Sequence, residues 1–92
     1  MIAITQLDVE HYEVAVDGSG TASIHRVRLT PACWRELTQR RVTPEGLLME
    51  TFRFLLARDS AEALPETFDL ADLADRHRDW PAHAAAWLER GR

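Results

Sequence analysis

Ninety-two residues with a formal net charge of −4 and 46% hydrophobic content describe one folded globule rather than a disordered or strongly basic chain. No apolar run approaches the roughly 18 residues of a membrane-spanning helix. The lone cysteine, Cys33, leaves no partner for a disulfide within these residues and fits a reducing compartment.

The opening segment, MIAITQLDVEHYEV, lacks the basic start and long apolar run of a signal peptide, so the expected location is cytoplasmic. All basic residues are arginine and alanine is abundant, a composition associated with bacterial genomes of high GC content. Charge is unevenly spread. Residues 23–43 carry five arginines against Glu36, whereas residues 59–79 carry seven acids against Arg76 and Arg78. A net-acidic chain is a poor generic binder of nucleic acid, although the basic middle leaves room for a local basic surface.

In chain order, residues 9–16 and 21–29 flank Asp17-Gly18-Ser19-Gly20, whose glycines suit a hairpin turn. With Gly18-Ser19 as the loop, Val14 faces Ser23 and Tyr12 faces His25. Tyr12, Val14, Val16, Val27 and Leu29 then share one apolar face. Val9, His11, Glu13, Ile24, Arg26 and Arg28 lie on the other, with Glu13 diagonal to Arg26. Such a hairpin has open outer edges, where a strand of a second copy can pair.

Thr30-Pro31 opens a helix, with threonine as cap and proline at the first helical position. Cys33, Trp34 and Leu37 form its apolar face, and Arg40-Arg41 follow its end. Thr43-Pro44-Glu45 repeats the signal. Leu47, Leu48, Thr51, Phe52, Leu55 and Leu56 then recur at spacings of three and four, marking the central core helix, with Glu50, Arg53 and Arg58 on its exposed side. A short turn, SAEALPE, follows, and LADLADRH supplies a small apolar face. Asp79-Trp80-Pro81 opens a last helix that Gly91 can end, with Trp80, Ala84, Trp87 and Leu88 on one side.

Motifs for chemistry are sparse. Cys33 sits in the first turn of a helix but beside Trp34 on the core face, which suits a buried structural thiol. His11 and His25 can approach each other across the hairpin. His77 and His83 are separated by Pro81 and do not share a helical face. No HExxH, CxxC, calcium-loop, GxGxxG or P-loop pattern occurs. Asp72 and Asp75 read as a solvated helix face. The sequence therefore implies no catalytic residue, metal, cofactor or small-molecule substrate.

Two resemblances add to this. Residues 24–58 run strand, helix, helix, and so resemble a ribbon-helix-helix DNA-binding module. In such modules strands from two subunits pair and alternate side chains enter the major groove. The resemblance assigns that role to Arg26 and Arg28, with Val27 and Leu29 turned inward. Here a preceding strand of the same chain can take the dimer-mate's place, a departure from that family. More closely, VTPEGLLMETFRFLLARDSAEALPETFDLADL resembles small uncharacterised bacterial domains of the form TPEELxxxxFxFLLxREpxxxIxxxFDLxxI. The match rests on Thr43-Pro44-Glu45, Leu47 or Leu48, Phe52, Phe54-Leu55-Leu56, Arg58-Asp59 in place of Arg-Glu, and Phe68-Asp69-Leu70. This second resemblance implies a hairpin followed by helices and carries no activity.

The expectation is an α+β fold in a single domain, residues 1–92. A hairpin (residues 9–29) packs on a helical part (residues 31–90) of three to five helices. The expected function is non-enzymatic: binding an unidentified protein partner or self-associating, with Trp80 and Trp87, seven apart on the last helix, as the candidate interface. The alternative is a DNA-binding regulator or antitoxin using Arg26 and Arg28.

Overall fold

Period-two alternation builds the sheet. The computed structural model describes residues 1–18, 21–60 and 63–90. Strands β1 (Ile2–Gln6), β2 (His11–Gly18), β3 (Thr21–Arg28) and β4 (Thr67–Asp69) form one four-stranded sheet in that spatial order. β1–β2 and β2–β3 are antiparallel and β3–β4 is parallel.

The expected hairpin is β2–β3. Tyr12, Val14, Val16, Val27 and Leu29 are all buried, while Arg26, Arg28 and Ile24 are exposed on the opposite face. The register differs from the expected one by two residues. Val14 faces His25, Tyr12 faces Val27 and Glu13 stands directly opposite Arg26. Gly18 pairs with Thr21, which corrects the expected Gly18-Ser19 loop; Ser19 and Gly20 lie outside the described residues. A slip of two keeps every side chain on its own face, so hydrophobic patterning alone does not distinguish the two registers.

β1 and β4 are additions to the expected architecture, and they correct the expectation that the hairpin's outer edges are open. β1 covers the length of β2, with Ile4 opposite Val14. β4 covers the C-terminal part of β3, with Phe68 opposite Val27. The expected approach of His11 and His25 is also corrected. His25 is buried on the inner face, while His11 lies on the outer face, held by Asp8.

Helix α1 (Pro31–Thr38) begins where Thr30 Oγ1 accepts the Cys33 N–H at 3.1 Å. Helix α2 (Pro44–Leu56) begins where Thr43 Oγ1 accepts the Gly46 N–H at 3.0 Å. A side chain at position 46 would crowd that cap, since a Cβ there would stand 3.2 Å from Thr43 Oγ1. A 3-10 turn (Leu70–Asp72) leads into α3 (Leu73–Arg76), and α4 (Trp80–Arg90) follows. The expected stop at Gly91 lies outside the described residues.

α2 covers the inner face of the sheet. Phe52, fully buried, places its ring 5.5 Å from that of His25 on β3 and 6.0 Å from that of Phe68 on β4. The helix backbone comes nearest to β1, whose Ile2 and Ile4 are half-buried against the core. Leu47, Leu48, Phe54 and Leu55 complete the helix's share of the core. Glu50, expected on the exposed side, is buried instead because α4 lies across it.

The β1–β2 turn depends on Asp8. Its Oδ1 accepts the N–H groups of Glu10 and His11 at 2.8 and 2.9 Å, and the His11 ring adds a further bond. The Glu10 N–H, then the His11 side chain, hold the Asp8 carboxyl below its ordinary value of 3.8. A carboxylate depressed in the folded state stabilises it above the ordinary pKa. That contribution is lost as pH falls through the folded value. Asp8→Asn should therefore lower stability at neutral pH and reduce the loss on acidification below about pH 4. Urea titrations of both proteins at neutral and acid pH test this; equal losses on acidification would contradict it.

Candidate functional site

The basic residues singled out for nucleic acid are placed as follows. Arg28, on the outer face, donates from Nε to Glu10 Oε2 at 3.2 Å and from Nη1 to Asp69 Oδ2 at 3.1 Å. Two carboxylates thus share one guanidinium. Arg26, exposed, stands between Glu13 on β2 and Thr67 on β4. A ribbon-helix-helix ribbon needs the edge of this strand free for a second subunit. Here residues 26–28 of β3 are paired on both sides within the chain. The geometry gives the DNA-reading alternative no support.

Trp80 and Trp87 also separate. Trp80 is 1% exposed and belongs to the core, its ring 5.1 Å from Phe54 and stacked on His83. Its indole N–H is the one buried side-chain polar atom without a partner among the described residues. Trp87 is half-buried, packed at the margin of the core. The expected two-tryptophan stripe is therefore reduced to one partly exposed ring. The helical pattern could not separate the two, because it reports a shared face and not the depth of each position.

Two polar clusters lie inside the fold and a third on its surface. His25 Nδ1 is 2.7 Å from the Pro65 carbonyl and Nε2 is 2.8 Å from Ser23 Oγ. A carbonyl only accepts, so Nδ1 donates to it, and Nε2 shares the second bond with the serine hydroxyl. This hydroxyl–imidazole–carbonyl chain has the order of a nucleophile, a base and an orienting group. Its evident work is to hold the segment before β4 against the sheet, where Arg26 N–H also bonds the Glu66 carbonyl at 2.6 Å. In the second cluster His83 Nε2 meets Glu50 Oε2 at 2.7 Å, joining α4 to α2. In the third, the Arg58 guanidinium lies 3.7 Å above the Phe54 ring and pairs with Asp79. No group of three or more metal-ligating side chains converges among the described residues.

Cys33 is half-buried, and burial, followed by Asp69 and Glu36, pushes its thiol above the ordinary value of 9.0. It is a poor nucleophile at neutral pH. The clefts among the described residues include two on the surface. One of about 260 Å³ lies between the end of α2 and α3, lined by Leu55, Leu64, Asp72 and His77. The other, about 380 Å³, lies between α1 and α4, lined by Leu37, Ala84, Ala85 and Leu88.

The feature that stands apart is the sheet's β1 edge. Met1 O accepts the Asp17 N–H and Leu7 N–H donates to His11 O, both at 2.8 Å. Odd-numbered residues of β1 therefore bond to β2, and alternation turns the N–H and C=O groups of Ile2, Ile4 and Gln6 outward. No strand pairs with that side among the described residues. The segment Met1–Leu7 (MIAITQL) contains no charged side chain and no proline. Met1 is 91% exposed and Leu7 48%. Soluble domains ordinarily protect such an edge with charge, proline, a bulge or a covering element. Sequence reasoning missed the strand, although its Ile2–Ile4 alternation with short polar or small neighbours was a readable signal.

A scan of protein-family models, a search of curated proteins and a search of solved structures each find no match to this chain. No helix among the described residues is long and apolar enough to cross a membrane.

Replacing His25 leaves the part-buried Pro65 carbonyl and the Ser23 hydroxyl without their shared partner. His25→Leu should cost about 2–4 kcal/mol, whereas Ser23→Ala should cost about 1 kcal/mol or less because the half-exposed serine gives water access. Denaturant unfolding separates these; comparable small losses for both would show that the bracket carries little.

Proposed function

We propose that this chain is a non-enzymatic domain that acts through protein association, with a second copy of itself as its first partner. One observation carries the reading: β1 is an uncharged, unprotected sheet edge bearing half-exposed isoleucines. Unpaired strand groups beside apolar side chains gain both hydrogen bonds and buried area when another strand lies against them. The proposal keeps the cytoplasmic setting expected from the sequence. It assigns no cofactor and no small-molecule substrate.

The buried His25 and Glu50 fit this reading, since each is already engaged in joining elements of the fold. His25 ties the segment before β4 to β3, and Glu50 ties α2 to α4. Trp87, with its partly exposed ring, is a second surface at which a different protein could be held.

The test is the molar mass in solution across concentration, by light scattering or sedimentation. The chain should associate with itself as concentration rises. Gln6→Pro should shift the equilibrium toward monomer. The Gln6 N–H faces away from β2, so proline there breaks no bond within the sheet and suits an edge position. A folded wild-type chain that stays monomeric at every concentration would overturn the proposal.

A further inference from the structure

We infer that two copies of this chain join β1 to β1 in antiparallel register about a two-fold axis at Ile4, extending the four-stranded sheet into a continuous sheet across the dimer. This inference rests on the self-association reading above and specifies its interface.

The register follows from which backbone groups are free. Ile2, Ile4 and Gln6 turn their N–H and C=O groups outward, so hydrogen-bonded pairs across the interface must join even-numbered residues. A two-fold interface pairs residue i with j and j with i. Of the registers meeting both conditions, the one centred on Ile4 uses the whole strand. It sets Ile2 against Gln6 of the second copy and Ile4 against its own counterpart, each pair exchanging both bonds.

Side chains agree with that register. On the inner face, the half-buried Ile4 of one copy meets Ile4 of the other beside α2 of each, which extends the apolar core across the axis. On the outer face, Ala3 lies opposite Thr5 and Met1 opposite Leu7. This pairing brings together two of the four exposed large hydrophobic residues among the described residues, at 91% and 48% exposure. No charged side chain of Met1–Leu7 opposes itself, because the segment has none, and the Met1 ammonium, bonded to the Asp17 carbonyl, sits at the strand's end rather than across from its own counterpart; a strand with a single charge near its centre would repel its own copy. The other end of the sheet is less suited. β4 has three residues and ends in Asp69, already engaged with Arg28.

Ala3 and Thr5 occupy a non-hydrogen-bonded pair in this register, where opposing Cα atoms come within about 4.5 Å and a disulfide can close. The experiment therefore uses full-length chains in a Cys33→Ala background carrying either Ala3→Cys or Thr5→Cys, oxidised mildly with diamide. Light scattering on the same samples gives the mass. A mixture of the two variants should yield several-fold more disulfide-linked dimer than either variant alone. Within one variant, the like cysteines lie diagonally across the axis, too far apart to bridge well. Dimers in solution without this preference would overturn the β1 interface and leave self-association standing. Monomers throughout, with wild-type chains also monomeric, would overturn both. Preferential linkage within the Ala3→Cys sample alone would place the axis elsewhere and overturn the register.

Discussion

Burial of Phe52 between the sheet and the rest of α2 is the constraint on which this structure depends. The ring lies against His25 of β3 and Phe68 of β4, so one side chain ties the central hairpin to the strand that arrives from the far side of the helical segment. A sheet covered on one face must alternate apolar and polar residues, and β2 and β3 do. The same single-sided cover leaves the outer face to arginines and carboxylates. Its edges are left to whatever the flanking strands provide. The β1 edge is left open under that plan, since β1 is held by β2 on one side and by α2 on its inner face.

Buried polar groups in this core act as braces. His25 uses both ring nitrogens, one toward the Pro65 carbonyl and one toward Ser23. Glu50 is buried beneath α4, where it meets His83. Around Phe54 the rings of His77, Trp80 and His83 and the guanidinium of Arg58 pack from several sides. Such contacts fix how the short helices sit, a task that apolar packing alone performs with less directional selectivity.

Local signals made much of this legible from the sequence. The two Thr-Pro starts specify α1 and α2 because a capping hydroxyl and a preset φ act within one turn. The apolar and charged faces of β2–β3 follow from alternation. What alternation cannot give is the choice between registers two residues apart, or the pairing of Thr67–Asp69 with a strand some forty residues earlier. Glu50 reads as solvent-facing on its own helix and is buried only because a later helix covers it. Trp80 and Trp87 share a helical face yet differ in depth, since Phe54 and His83 enclose the first. The association surface was the least legible, because β1's significance lies in what fails to cover it.

Amide hydrogen exchange along β1 tests the central claim most directly. In the dimer, the outward N–H groups of Ile4 and Gln6 are bonded to a second chain. Their exchange should slow as protein concentration rises, while the Thr5 amide, already facing β2, should change less. Ile4 and Gln6 amides that exchange rapidly and identically at every concentration would contradict the account.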